Sequence, residues 1–458
     1  MVKNLKNLAI LAAGGPAPGI NSVISAAAIR AEIEGIKVLG IRDGFKWIME
    51  GDTSHIKELN IGNISRIHFT GGSYIGIARS NPTKDKKKLE NVINTLQKLD
   101  VDKLITIGGD DTAFSSMNVN AAAEGKIKVV HVPKTIDNDL DLPHGIPTFG
   151  FQTARHVGVQ IVKNLMVDAK TTSRWYFVIA MGRKAGHLAL GIGKAAGASL
   201  TIIPEEFPGS TIKVSHIVDI LVGAIVKRLS YGRSDGVAIL AEGLAEQFDP
   251  EELKSFANVE RDAHDHIRLS EVNLGDILKD KVEEKLEEYG IDLTIVTKNI
   301  GYELRCADPI PFDMEYTRDL GFAAAQFVIK GGSGAMVSIQ NGRFVPMYFK
   351  DILDPKTGKT KVRMVDPSSE TYYIARRYML RLNQTDFEDH DELTKYAATC
   401  GISADEFKKH YEYLIENDLL YKYLKEGKIK LEATESNATY ESESSATENN
   451  NEILIDKK

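Results

Sequence analysis

The sequence predicts an α/β protein built on mostly parallel sheet, and three observations predict it. Seven short runs (Leu8–Ala12, Lys37–Ile41, Lys103–Ile107, Val129–Val132, Trp175–Ala180, Leu200–Ile203 and Gly236–Ala241) are apolar without strict alternation, as strands covered on both faces are. Most of them end in Gly, Pro or a charged residue. Helix-length stretches separate several of them, including Asn21–Glu34, Lys86–Leu99, Ser210–Leu229 and Met314–Ile329. That alternation is the mark of βαβ units. At 458 residues the chain exceeds one average domain, so two or more lobes are expected. No internal repeat of roughly 20–50 residues is visible.

Composition narrows the class. With 43% hydrophobic and 26% charged residues, the chain reads as an ordinary soluble globular protein. No apolar run approaches the roughly 18 residues that span a bilayer, so no membrane segment is expected. The run Leu8–Ala13 ends in Gly14-Gly15-Pro16 and reads as a first strand entering a turn, not as a signal peptide. Cys306 and Cys400 lie far apart and match no zinc or redox spacing, which points to a reducing cytoplasm. From Leu431 onward seven acids face two lysines, so most of the net charge of −7 sits in the tail. The rest is nearly neutral and carries no nucleic-acid footprint. The tail itself is rich in Ser, Thr, Asn and Glu and is expected to be disordered.

Taken in chain order, the strand exits carry the chemistry. Gly14-Gly15-Pro16-Ala17-Pro18-Gly19-Ile20-Asn21 joins the first strand to the first long helix, where backbone N–H groups can approach an anion. It is neither G-x-G-x-x-G nor a Walker loop, and a purely structural turn remains open for it. Gly71-Gly72-Ser73-Tyr74-Ile75-Gly76-Ile77-Ala78-Arg79 places a cation after a glycine-rich turn. Gly108-Gly109-Asp110-Asp111-Thr112 puts two adjacent carboxylates at a strand terminus. That is costly unless something positive sits there, as Mg²⁺ carrying phosphate would; a helix cap with a solvated acid is the plainer reading.

Pro133-Lys134-Thr135-Ile136-Asp137-Asn138-Asp139 brings three charges within six residues. Asp137 could take a proton from a hydroxyl, and Asp139 could orient it or help hold a metal. An ordinary turn is the alternative. Met181-Gly182-Arg183-Lys184-Ala185-Gly186-His187 follows the Trp175–Ala180 run, and Arg174 precedes it. Arginines there suit a sugar phosphate through bidentate contacts, whereas Lys184 and His187 read as surface or packing residues. Glu242-Gly243 closes the Gly236–Ala241 run, and Tyr302-Glu303-Leu304-Arg305 adds a phenol and another arginine.

In this order and spacing the motifs resemble those of the 6-phosphofructokinases, from about residue 8 to about residue 345. The resemblance implies two Rossmann-like α/β lobes with the active site between them. It assigns 1–147 plus 313–350 to a phosphoryl-donor lobe and 148–312 to a fructose 6-phosphate lobe. Residues 351–430 would be a helical extension packing on the lobes, and 431–458 the acidic tail. It further implies a homodimer or homotetramer acting on fructose 6-phosphate.

The same resemblance assigns roles. Asp137 would be the base for the sugar 1-hydroxyl, flanked by Thr135 and Asp139. Asp110 would bind Mg²⁺; Gly15, Arg79 and Thr112 would contact the donor. Met181, Gly182, Arg183, Glu242, Tyr302 and Arg305 would hold the sugar phosphate, with Arg183 also steadying transition-state charge. Arg174 would reach the 6-phosphate of a neighbouring subunit. A further family arginine just before Gly301-Tyr302 is missing, and Lys298 would stand in for it.

Asp111 and Lys134 bear on the donor. ATP-using members typically carry glycine where Asp111 stands, and bacterial ones carry glycine at Lys134 as well; pyrophosphate users resemble this chain at both, but some ATP-dependent members also carry the lysine, so Asp111 holds most of the weight. A carboxylate at Asp111 fills the space of a nucleoside α-phosphate and repels it. Lys134 offers a compact positive charge to pyrophosphate and favours ionised Asp137. The expectation is therefore pyrophosphate as donor. The rivals are an ATP-dependent enzyme of the same fold, a lipid or NAD kinase with a Gly-Gly-Asp turn, and a non-catalytic regulatory subunit.

Overall fold

The computed structural model describes residues 6–209, 211–253, 273–352 and 361–429. It contains two sheets, one per lobe. The first uses β1 (Asn7–Ala12), β2 (Val38–Ile41), β3 (Ile56–Leu59), β4 (Val101–Gly108), β5 (Lys128–Thr135) and the short β6 (Phe149–Gly150). The second uses β7 (Trp175–Ala180), β8 (Leu200–Ile202), β9 (Gly236–Ala241) and β10 (Ile295–Ile300). The chain then returns to the first sheet through β11 (Ala335–Gln340) and β12 (Arg343–Tyr348).

The first sheet runs β12-β11-β5-β4-β1-β2-β3, with β6 beside the end of β5. It is parallel throughout except at its two margins, where β3 and β12 pair antiparallel. The second runs β10-β7-β9-β8 and is wholly parallel.

Strand periodicity explains the unbroken apolar runs. Along β1, Leu8, Ile10 and Ala12 join the core under helices Ile20–Ile33 and Pro311–Ile329, while Ala9 and Leu11 join the core under helix Lys86–Lys98. Along β7, Tyr176, Val178 and Ala180 face helices Phe151–Thr172 and His187–Ala196. Trp175, Phe177 and Ile179 face Val214–Ser230 and Leu274–Glu288. Each fully buried Leu, Ile or Phe contributes about 1.5–3 kcal/mol, so both faces must stay apolar.

Some expected elements shift. β5 continues to Thr135, because Lys134 and Thr135 pair with Phe149 and Gly150 of β6, so Lys134 stands on a strand and not in a loop. The helix expected over Ser210–Leu229 begins at Val214, since Ile212 is taken by a parallel bridge to Phe248; residue 210 lies outside the described residues. The 22-residue helix Phe151–Thr172 and the edge strand β10 were not singled out by the sequence patterning.

Within 361–429 the described chain is mainly short helices from Glu370–Arg377 to Leu419–Lys425. Leu382, Phe407, Tyr411 and Ile415 close the core over Val214–Ser230. The tail expected at 431–458 lies outside the described residues. Among the described residues no helix is long and apolar enough to cross a membrane.

Candidate active site

Two sets of three adjacent parallel strands, one in each sheet, aim their carboxyl ends at one another. On one side β5, β4 and β1 deliver Ile136, Gly109 and Gly14; on the other β10, β7 and β9 deliver Tyr302, Met181 and Glu242. A cleft of about 1150 Å³, its open mouth included, lies between them. Ligands collect where strands of open α/β sheets end.

The turn after β1 passes Gly19, which is left-handed at φ 105° and leads directly into helix Ile20–Ile33. A side chain there would meet Thr317 at 2.6 Å. Ala13 bridges Ala78 and the Gly14 N–H donates to the Ala78 carbonyl, which fixes Arg79 beside the turn. Asn21 anchors the preceding glycine segment through Thr70, Gly71 and Tyr74. Asp110 and Asp111 are the first residues of helix Asp110–Ala122, where its positive end favours acids. Beneath this turn His131 is fully buried, its Nε2 on the Gly108 carbonyl and its Nδ1 on Thr106 Oγ1. Burial pushes the imidazole pKa down to about 3, so it stays neutral.

Lys134 is buried and donates to the Gly15 carbonyl. Burial lowers its pKa to about 8; Asp137 opposes this, while Arg305, Arg183 and Arg79 add to it. Asp137 moves the other way. Burial, then the neighbouring Asp139 charge, push its carboxyl up to about 7 against the pull of Arg183 and Lys134. Its Oδ1 is out of water and has no hydrogen-bond partner among the described residues. Its N–H donates to Thr135 Oγ1 at 3.0 Å. A carboxyl poised near neutrality, with a free buried oxygen, can act as a general base.

The opposite wall is interlocked. Gly182 donates to Glu242 Oε2 at 3.2 Å, and Met181 packs on Gly301, where an added Cβ would sit 2.7 Å from it. The Arg305 guanidinium lies 4.5 Å from the Tyr302 ring, and Tyr302 is 77% exposed at the mouth. Arg305 also reaches across the cleft: a Cβ on Gly15 would stand 3.2 Å from its Nη1. Arg183 Nη1 lies 3.9 Å from Asp111 Oδ2.

Of the residues singled out from the sequence, Gly15, Arg79, Asp110, Asp111 and Thr112 line one side of this cleft. Lys134, Thr135, Asp137 and Asp139 form its floor, and Met181, Arg183, Glu242, Tyr302 and Arg305 line the other side. Gly182 stands just behind Met181. Two residues lie elsewhere. Arg174 precedes β7, at the end of the sheet away from the cleft, with Nε buried and without a partner among the described residues. Lys298 lies within β10, does not line the cleft, and pairs with Glu303 at 3.6 Å.

A model of the phosphofructokinase family matches residues 7–328. The chain belongs to the phosphofructokinase family. A pyrophosphate--fructose 6-phosphate 1-phosphotransferase from Naegleria fowleri is 50% identical over 423 residues, covering 90% of this chain and 97% of that protein. One of the same name from Thermotoga maritima is 52% identical over 416 residues, covering 90% of this chain and 99% of that protein. Among solved structures, phosphofructokinase from Saccharomyces cerevisiae aligns at TM-score 0.61 and 20% identity over 89% of this chain; the match spans 50% of the yeast chain. The pyrophosphate-dependent phosphofructokinase from Nitrosospira multiformis aligns at TM-score 0.61 and 18% identity, covering 81% of this chain and 90% of that one. At such identities these structures speak for the family's fold.

No local sign in the sequence marks Arg363 or His131 as supports of the site, and Asn138, although inside the Pro133–Asp139 motif, carries no local sign of that role. Each acts through contacts distant in sequence: Arg363 binds the Asn138 carbonyl, 225 positions away, at 3.1 Å. Only the threading of the chain brings such partners together.

Proposed function

We propose that this chain is a pyrophosphate-dependent 6-phosphofructokinase, transferring a phosphoryl group from pyrophosphate to the 1-hydroxyl of fructose 6-phosphate. The observation that carries the reading is the pairing of two cleft features: Asp137 held near neutrality, and the Asp111 carboxylate at the donor-side mouth. The names borne by the relatives that are about half identical support the same donor and acceptor.

Asp137 takes the proton from the sugar 1-hydroxyl. The freed oxygen attacks one phosphorus of pyrophosphate, a P–O ester bond forms, the anhydride P–O bond breaks in line, and phosphate leaves. Little covalent chemistry falls to the protein, so positioning and charge stabilisation carry the rate. Arg183 steadies the developing charge and, with Thr135, Asp139, Met181, Gly182, Glu242, Tyr302 and Arg305, holds the sugar phosphate; Gly15, Arg79, Asp111 and Thr112 line the donor site, with Lys134 supplying positive charge to it.

Asp110 is the residue for Mg²⁺. Among the described residues no group of three His, Cys, Asp or Glu could cage a metal. One helix-terminal carboxylate facing a phosphate site suits Mg²⁺, which binds through one or two carboxylates plus substrate oxygens. When bound, Mg²⁺ would neutralise pyrophosphate charge.

Exchanging one phosphate anhydride for one ester is less downhill with pyrophosphate than with ATP, so the reaction is reversible. Residues 1–147 and 313–350 serve the donor, 148–312 the sugar, and the extension 351–430 packs on the lobes. Arg174, at the far end of β7, serves a neighbouring subunit in a homodimer or homotetramer. The setting is cytoplasmic glycolysis.

Phosphorus NMR tests this directly. Fructose 6-phosphate, pyrophosphate and Mg²⁺ with catalytic amounts of the chain should give fructose 1,6-bisphosphate and phosphate, and the reverse mixture should reach the same ratio. No phosphate from pyrophosphate in the presence of the sugar would end the proposal.

A further inference from the structure

The loop that carries Asp137 is held from outside the region matched by the family model. Asn138 sits between Asp137 and Asp139 in the left-handed region, at φ 58°. A non-glycine residue there needs support, although Asn tolerates it better than most. The support comes from Arg363. Its Nε donates to the Asn138 carbonyl at 3.1 Å, its Nη2 donates to Asn138 Oδ1, and its Nη1 donates to the Ile146 carbonyl at 2.9 Å. Asn138 Oδ1 also receives the Thr148 N–H at 3.0 Å.

The backbone around Arg363 is equally committed. Its N–H donates to the Asp139 carbonyl at 2.8 Å, and Val362 bridges Leu140 antiparallel. On the other side, His187 Nε2 meets the Arg363 carbonyl at 3.1 Å. Glu205 Oε1 accepts both the Gly186 and the Val365 N–H, at 2.8 and 2.9 Å. The strap Val362–Val365 therefore ties the Asp137 loop of one lobe to the Arg183 loop of the other.

Building on the role proposed above for Asp137, we infer that Arg363 is a positioning residue. It locks Asn138 so that the flanking Asp137 and Asp139 carboxylates both face the cleft, and through its strap it sets their register with Arg183. A planar fork with several N–H donors suits three acceptors spread over two loops; a lysine ammonium does not. Arg363 hydrogen-bonds no cleft-lining side chain, and two of its three side-chain bonds end on Asn138, so the larger part of its effect passes through that residue.

The experiment is a double-mutant cycle in kcat between Arg363→Ala and Asn138→Gly. It uses whichever donor the unmutated chain turns over, so an error over the donor appears in the unmutated enzyme and not in the ratios. A misplaced base costs up to roughly a hundredfold. Arg363→Ala should therefore lower kcat roughly 10- to 100-fold while the KM for the donor, whose contacts lie on other loops and on β5, stays within about threefold. Glycine adopts the left-handed conformation unaided, so in the Asn138→Gly background the same change should cost less than about threefold. A folded Arg363→Ala with kcat within twofold of the unmutated chain would overturn the inference, as would an equal loss in both backgrounds. Should Arg363→Ala not fold at the assay temperature, Arg363→Gln replaces it, and the same two results from that variant overturn the inference.

Discussion

Arg183 and Asp111 face each other across the cleft at 3.9 Å, one from the loop after β7 and the other from the helix after β4. Both side chains are well exposed, so the pair is weak and an anionic substrate can displace it. In the proposed reaction this geometry gives Asp111 two effects: it puts negative charge at the donor-side mouth, and it parks the arginine proposed to meet the transferring group.

Asp111→Gly should relax donor choice. Placing a like charge beside an incoming α-phosphate costs several kcal/mol, so removing it should raise kcat/KM for ATP by on the order of a hundredfold. Steady-state assays with each donor check this. An unchanged ATP rate would mean that Asp111 does not exclude the nucleotide.

Asp137→Asn keeps shape and removes the proposed base. General-base loss typically costs about 10²–10⁴ in rate. We expect that loss in kcat with the KM for pyrophosphate little altered and the far-ultraviolet circular dichroism unchanged. Retained turnover would assign the proton to another group.

The pH profile of kcat/KM should carry the Asp137 titration on its acid side, near 7, because that carboxyl must be ionised to accept a proton. On the alkaline side Lys134, lowered to about 8, loses the charge that faces the donor. Activity should therefore rise through the first and fall through the second. Asp139 holds the Asp137 pKa up, so Asp139→Asn should move the acid limb to lower pH, read from the same profile. A limb moving upward would contradict the electrostatics of the floor.

Asp313 is fully buried and caps a helix from outside it. Its carboxylate accepts from the N–H groups of Gly150 and Thr153 at 2.9 and 2.7 Å and from Thr153 Oγ1 at 2.6 Å, at the start of Phe151–Thr172. Asp313→Ala strands three buried donors, and each unmet group costs about 1–3 kcal/mol. Urea denaturation should show a loss of at least about 3 kcal/mol. A midpoint shift near zero would show that water replaces the carboxylate.

The strand exits were legible in the sequence because their information is local. Gly108-Gly109-Asp110-Asp111 and Met181-Gly182-Arg183 each combine an apolar run, a turn and charged residues within one short window. β10 was not legible, since Thr297, Lys298 and Asn299 interrupt its apolar pattern and it lies at the sheet edge. Nor was Phe151–Thr172, whose Gly158 and β-branched Val157, Val159 and Val162 weaken its helical signal. Pro133 and Lys134 read as loop residues, yet β6 extends β5 past them through a pairing that no local window reveals. Asp313 and Arg363 belong to the same class, with partners more than 150 positions away.

The donor preference of the unmutated chain is the most direct test of the proposed reaction. Fructose 1,6-bisphosphate formation is followed in parallel with pyrophosphate and with ATP, each with Mg²⁺, and kcat/KM is compared. The Asp111 and Lys134 arrangement predicts a ratio well above one hundred in favour of pyrophosphate. Efficient turnover of ATP with negligible use of pyrophosphate would contradict it.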